Sequence, residues 1–269
     1  MREQRVGGAA MTRRFGRVRT ASGAVFHVEH EGEELCVLER APWLGGEATG
    51  ERLARSMVAR HLAPVEPRKI VCVGRNYAAH ARELGNEVPE EPLLFFKPTT
   101  SLLDPGGTIV LPPRELSERV EHEVELGVVV GEVLFGADRA ACAAAIFGYT
   151  IVGDITARDL QRRDKQWTRA KGIDTFCPVG PVVVAGLEAS SLGVRARVDG
   201  ELRQDGNTAN MLFSPPELLS FISQAMTLEP GDLVVTGTPE GVGPLAPGNR
   251  LELEIDGIGV LALDVGVRH

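Results

Sequence analysis

The feature that most constrains this chain is a train of short apolar runs rich in valine and isoleucine: KIVCVG, LLFFKP, TIVLP, VELGVVVGE, YTIVGDIT, PVGPVVVAG, VRARVDG, DLVVTGT, RLELEIDG and GVLALDV, between Lys69 and Val265. Each has the length of a strand and is bounded by turn-forming residues, so this half of the chain is predicted to be built mainly of strands. Helical patterns are fewer, over 76–84, 138–147 and 214–226, the last with Ser214 as cap and Pro215 at the first helical position. Many short strands with few helices predict a mainly β fold, a sandwich or rolled sheet, and 31 glycines and 17 prolines supply its turns. Upstream, FGRVRT, AVFHVEH and EELCVLE predict a small antiparallel meander, and 51–62 reads as a helix. Pro64 and Pro67 in APVEPRK then mark a boundary, giving a small N-terminal domain over 1–66 and a larger one over 67–269.

Residues 1–10, ahead of Met11, read as an upstream extension. The first 20 residues carry six arginines and one acid, but no apolar segment follows as a signal peptide would require. The longest stretch without a charge is the 14 residues Ala140 to Gly153, short of the roughly 20 needed to span a bilayer, so no membrane helix is expected. A formal charge of −8 with 5% aromatics is poor material for nucleic-acid binding. Cys36, Cys72, Cys142 and Cys177 form no CxxC pair, which argues for reduced thiols and a cytoplasmic protein rather than zinc or a disulfide framework.

Several local patterns can carry chemistry. In VEHEVELGVVVGE the strand period places Glu121, Glu123 and Glu125 on one face and His122, Val124 and Leu126 on the other. That face is either a solvated outer surface or a buried group of carboxylates that needs a cation, and oxygen ligands would select magnesium, manganese or calcium. Asp154, closing the run in TIVGDITARD, is either a third such ligand or a turn former. In GRNYAAHARELG, His80 and Glu83 are three apart on a helix, the spacing of an imidazole oriented by a carboxylate and equally of an ordinary surface pair. Arg158 and Gln161 share one side of TARDLQ, Lys171 follows Trp167, and the turn TGTPEGVGPLAPG, with Thr238, lacks the spacing of a nucleotide loop but can hold a carboxylate.

Taken together, VGRNYAAHARELG, LLFFKPTTSLLDPGG, VEHEVELGVVVG, GYTIVGDITARDLQ, QWTRAKGIDTFCPVGP, GELRQDGNTANMLFSPPELLSFIS and LEPGDLVVTGTPEGVGPL resemble the fumarylacetoacetate hydrolase family in content and order, across roughly residues 68–265. The resemblance implies a mixed β-sandwich roll assembled as a homodimer, with residues up to 66 similar to the small extra domain of bacterial members. It implies magnesium or manganese held by Glu123, Glu125 and Asp154. It further implies an oxo-acid contacted by Arg158, Gln161, Lys171 and Thr238, with His80 and Glu83 as a catalytic dyad on a short lid helix and Lys171 as a catalytic cation. Glu121 lies outside that ligand set. The implied chemistry proceeds through an enolate of a 2-oxo or 2-hydroxydienoate dicarboxylic acid. It is most like the 2-hydroxyhepta-2,4-diene-1,7-dioate isomerases of aromatic-compound catabolism, with acylpyruvate hydrolysis and oxaloacetate decarboxylation as neighbouring reactions. A non-catalytic, metal-dependent diacid-binding protein is the alternative from another class.

Overall fold

A computed structural model describes residues 12–267, so the extension 1–10 lies outside the described residues. The N-terminal part forms β1 (Arg13–Thr20), β2 (Val25–Glu31), β3 (Glu34–Leu38), β4 (Ala48–Ala54) and β5 (Val58–Leu62). Next come β6 (Ile70–Gly74), helix α1 (Ala78–Glu83), β7 (Leu93–Lys97), β8 (Leu102–Leu103) and β9 (Thr108–Leu111). The middle contains β10 (Val120–His122), β11 (Val124–Val130), α2 (Arg139–Ala144), β12 (Ile146–Gly153), β13 (Thr156–Ala157), α3 (Arg158–Asp164) and α4 (Thr168–Lys171). The remainder comprises β14 (Cys177–Ala185), β15 (Gly193–Val198), β16 (Glu201–Asn207), α5 (Pro215–Ala225), β17 (Leu233–Val235), β18 (Gly243–Pro244), β19 (Arg250–Ile255) and β20 (Gly259–Val267). No described helix is long and apolar enough to cross a membrane, and all four cysteines are free and buried.

The fold is mainly β. Twelve strands form one sheet in the order β4-β3-β2-β1-β14-β12-β11-β17-β6-β7, with β5 added on β1 and β8 on β14. A five-stranded sheet, β16-β15-β19-β20-β9, packs on its inner face, and a three-stranded sheet, β13-β10-β18, sits near the site. Alternation along β11 explains the apolar run GVVVG: Leu126, Val128 and Val130 enter the core shared with Leu251, Leu253, Leu261 and Leu263. Val129 points the other way, into a second core with Val152, Val183, Leu233 and the N-terminal Trp43 and Val65. A strand buried on both faces cannot show polar alternation, so its sequence is continuously apolar.

Two expectations change. Residues 51–62 form no α-helix but two strands joined by one 3-10 turn, Arg55–Met57: β4 pairs with β3 and β5 with β1, because antiparallel partners on both sides satisfy this backbone better than an isolated amphipathic helix would. VEHEVELGVVVGE is not one strand either. It breaks at Glu123, so that β10 pairs with β13 and β18 while β11 belongs to the large sheet. The predicted meander β1-β2-β3 is present, and α5 starts where expected, with Glu217 accepting from the Ser214 backbone N–H at 2.8 Å and its hydroxyl at 2.6 Å.

Candidate active site

The break between β10 and β11 delivers the carboxylates. Register pairs Val124 with Gly153, so Asp154, one residue past β12, lies beside Glu123, and its N–H donates to the Glu123 carbonyl at 2.9 Å. Glu123, Glu125 and Asp154 each offer an oxygen within 4.8 Å of the others, and all three side chains are buried. The solvated-face reading is therefore excluded, because Glu121 too is only 1% exposed.

Burying like charges this closely demands compensation. Lys171 Nζ donates to Glu123 at 2.8 Å, to Thr156 Oγ1 at 2.8 Å and to Asp154. Arg158 donates from Nε to Glu121 at 2.6 Å, from Nη2 to Glu123 at 2.5 Å and from Nη1 to Gln161 Oε1 at 2.7 Å. Glu121, which also accepts from Arg119 at 2.6 Å, thus holds Arg158 in place. Lys97 Nζ, buried at the end of β7, donates to Asp154 at 2.6 Å. Burial would raise the Glu123 carboxyl, but Lys171 and Arg158 outweigh it and hold it well below the usual carboxylate range. Glu125 behaves oppositely. Its one hydrogen bond, 2.5 Å, comes from the Gly237 N–H, and burial together with Asp154 and Glu123 pushes its carboxyl well above its ordinary value. Three hard oxygen donors, one lacking any cationic side-chain partner, make a donor set that fits magnesium or manganese.

Across the cavity stands α1. His80 Nδ1 lies 3.2 Å from Glu83 Oε2, and Glu83 Oε1 accepts from the Gly241 N–H at 3.0 Å, which ties the helix to the loop after β17. With Nδ1 donating to the carboxylate, Nε2 is the basic nitrogen. That loop is anchored in turn. Gly237, at φ +92°, lies where an added Cβ would stand 2.8 Å from Asn76 Cβ, and Gln204 Nε2 donates to Thr238 Oγ1 at 2.8 Å while Thr238 donates to the Val124 carbonyl at 2.8 Å.

His80, Glu123, Glu125, Asp154, Arg158, Gln161, Lys171 and Thr238 all line one cavity of about 190 Å³, with Glu83 standing behind His80. The structure therefore brings every residue to which the resemblance assigned a role to one place. The Thr238 hydroxyl already donates to the protein, so a ligand would meet its remaining lone pair or the backbone. Gln161, whose oxygen is taken by Arg158, keeps its Nε2 donors for a ligand. Sequence reasoning missed Lys97 and Gln204. Lys97 closes an apolar run in which it is the only fully buried residue, and a lysine there carries no signal until the fold sets it on Asp154.

Residues 69–266 match the family described as fumarylacetoacetate (FAA) hydrolase, C-terminal. Oxaloacetate tautomerase YisK of Bacillus subtilis is 39% identical over 265 residues, spanning 92% of this chain and 88% of that one. The structure of 2-hydroxyhepta-2,4-diene-1,7-dioate isomerase from Mycobacterium marinum superposes with a TM-score of 0.86 at 37% identity, covering 95% of this chain and 98% of its own. Fumarylpyruvate hydrolase from Pseudomonas aeruginosa, solved with Mn2+ and pyruvate, gives a TM-score of 0.70 at 34% identity, with 78% and 93% covered.

Proposed function

The chain belongs to the fumarylacetoacetate hydrolase family, and from that premise we propose that it is a metal-dependent enzyme interconverting tautomers of 2-oxo dicarboxylic acids, most like a 2-hydroxyhepta-2,4-diene-1,7-dioate isomerase. A magnesium or manganese ion on Glu123, Glu125 and Asp154 would supply Lewis-acid stabilisation of the enolate charge. His80 Nε2 shuttles one proton between the enol oxygen at C2 and a carbon of the enolate, C3 in a simple 2-oxo diacid and C5 in a 2,4-dienoate. Glu83 fixes the orientation of the ring. Lys171 remains an ammonium: burial opposes the charge, but Asp154 and Glu123 outweigh it and raise its pKa. Gln161 presents its amide donors to the substrate carboxylate.

The observation that carries this reading is the placement of His80 in one cavity with three buried carboxylate oxygens. A base in that position serves proton transfer at carbon. The Glu83–Gly241 hydrogen bond fixes α1, and with it His80, against the loop after β17. The relatives named a tautomerase and an isomerase support proton transfer as the net reaction. The test is a spectrophotometric assay with magnesium or manganese, and an EDTA control, against oxaloacetate, acetylpyruvate and 2-hydroxyhepta-2,4-diene-1,7-dioate. Metal-dependent tautomerisation of a diacid is expected. Cleavage of acetylpyruvate instead would make the protein a hydrolase, and metal-independent activity would remove the carboxylate site from the mechanism.

A further inference from the structure

Two arginines line the same cavity and have no part in the chemistry above. Arg75 follows β6, and Arg162 lies on α3, one turn beyond Arg158. Among the described residues neither guanidinium forms an ion pair or a side-chain hydrogen bond, whereas nearby Arg163 and Arg169 both bind Asp164. The half-buried Asn86, also lining the cavity, has an equally unspent side-chain amide.

Arg75 is also held in an unusual conformation. Its φ is +60°, a region that residues with a Cβ seldom occupy and that persists only where the surroundings enforce it. Asn76 enforces it: its amide donates to the Phe213 carbonyl at 3.0 Å and the Thr236 carbonyl at 2.8 Å and accepts from the Phe213 N–H at 2.8 Å. On the other side Gly74 leaves room for Trp167, whose ring carbon would lie 2.6 Å from an added Cβ. The chain is thus pinned on both sides of Arg75, with that residue in the cavity wall.

The charges of the cavity divide into two groups. Arg158, Lys97 and Lys171 are committed to Glu121, Glu123 and Asp154, while Arg75 and Arg162 are uncommitted and come from different elements. Guanidinium groups bind carboxylates through paired N–H donors, and the half-buried Arg75 and the exposed Arg162, both lining the cavity, are free to take an anionic group.

We propose that Arg75 and Arg162, with the Asn86 amide, form the subsite for the second carboxylate of the substrate, the one remote from Glu123, Glu125 and Asp154. The subsite rests on the proposed function, since it takes the 2-oxo acid end to be bound at those three carboxylates. It makes these residues the determinants that separate 2-oxo diacids from 2-oxo monoacids of the same length.

The test is calorimetry on the manganese-loaded protein with 2-oxoadipate and 2-oxohexanoate, which share the oxo-acid end and differ in the distal carboxylate. The wild type should bind the diacid about 10- to 100-fold more tightly, the range of a charge-assisted hydrogen bond. Arg162→Met and Arg75→Asn, the latter chosen because asparagine tolerates positive φ, should each remove most of that preference and leave the monoacid nearly unchanged. Equal binding of both ligands by the wild type, or variants that weaken both alike, would overturn the subsite while leaving the proposed function standing. Binding of neither ligand by a wild type that retains manganese would overturn the proposed function and the subsite with it.

Discussion

Glu123 and Glu125 are two residues apart and equally buried, yet replacing them should have different effects. Glu123 holds Lys171 and Arg158, so Glu123→Gln leaves two buried cations short of a partner and should destabilise the protein by about 2–4 kcal/mol. Glu125 accepts only a backbone N–H, and its carboxyl is already held above the ordinary range, so Glu125→Gln should cost the metal-free protein little. Both variants should lose metal binding, because too few hard ligands remain. Urea unfolding without metal, together with manganese titration, separates these outcomes; unchanged manganese affinity in either would take that residue out of the ligand set. His80→Ala should retain manganese while turnover falls by roughly 10²- to 10⁴-fold, as for other general bases, and near-normal rates would dismiss the dyad. These residues were legible because they sit in short motifs. Lys97 and Gln204 were not, since each acquires its role through a contact 57 or 34 residues away in sequence.

Elements were legible where one chain segment decides them. Helix α5 carries its own cap in Ser214 and Glu217, and the strands buried on both faces declare themselves as unbroken valine and isoleucine. The sequence misled where a partner decides. Residues 51–62 have a helical pattern of apolar positions but stand between β3 and β1, and the ladder wins. The break at Glu123 is equally hidden, since period-2 alternation continues through it while the two halves join different sheets. The turn from β6 into α1 depends on its neighbours in the same way. In Gly74→Ala the new methyl would meet Trp167, which packs edge-on against Phe95 with ring centroids 5.2 Å apart and lines the cavity. The expected result is a shifted tryptophan emission and a raised KM with the protein still folded; unaltered emission and KM would show that the indole yields without touching the cavity.

For the whole molecule, the histidines of the N-terminal strands contribute a loss of stability in acid. His30 on β2 is pushed from 6.5 to about 4 by burial and by Arg55, His61 and Arg14, and its Nε2 has no hydrogen-bond partner. His27 and His61 are lowered too, chiefly by burial. The unfolded chain therefore takes up protons that the folded one refuses. The contribution of His30 is full above its unfolded pKa of 6.5 and is lost as the pH falls toward about 4, by up to about 3 kcal/mol; the lowered His122 acts in the same direction and the raised Glu125 carboxyl in the opposite one. Depressed carboxyls such as Glu123 add their loss only at lower pH. Urea midpoints followed from about pH 8 to about pH 4.5 should fall through this window, and His30→Gln should flatten the fall; a profile unaltered by that change would place the sensitivity elsewhere. The same strands also cover an edge. Residues Arg13, Arg14 and Phe15 of β1 pair with Ala185, Val184 and Val183 of β14, so a chain trimmed to the segment after Leu62 would uncover a row of unpaired amides and carbonyls along an apolar strand. Such a strand is a template for another polypeptide, and the shortened protein would be expected to stick to its own copies before it lost its fold.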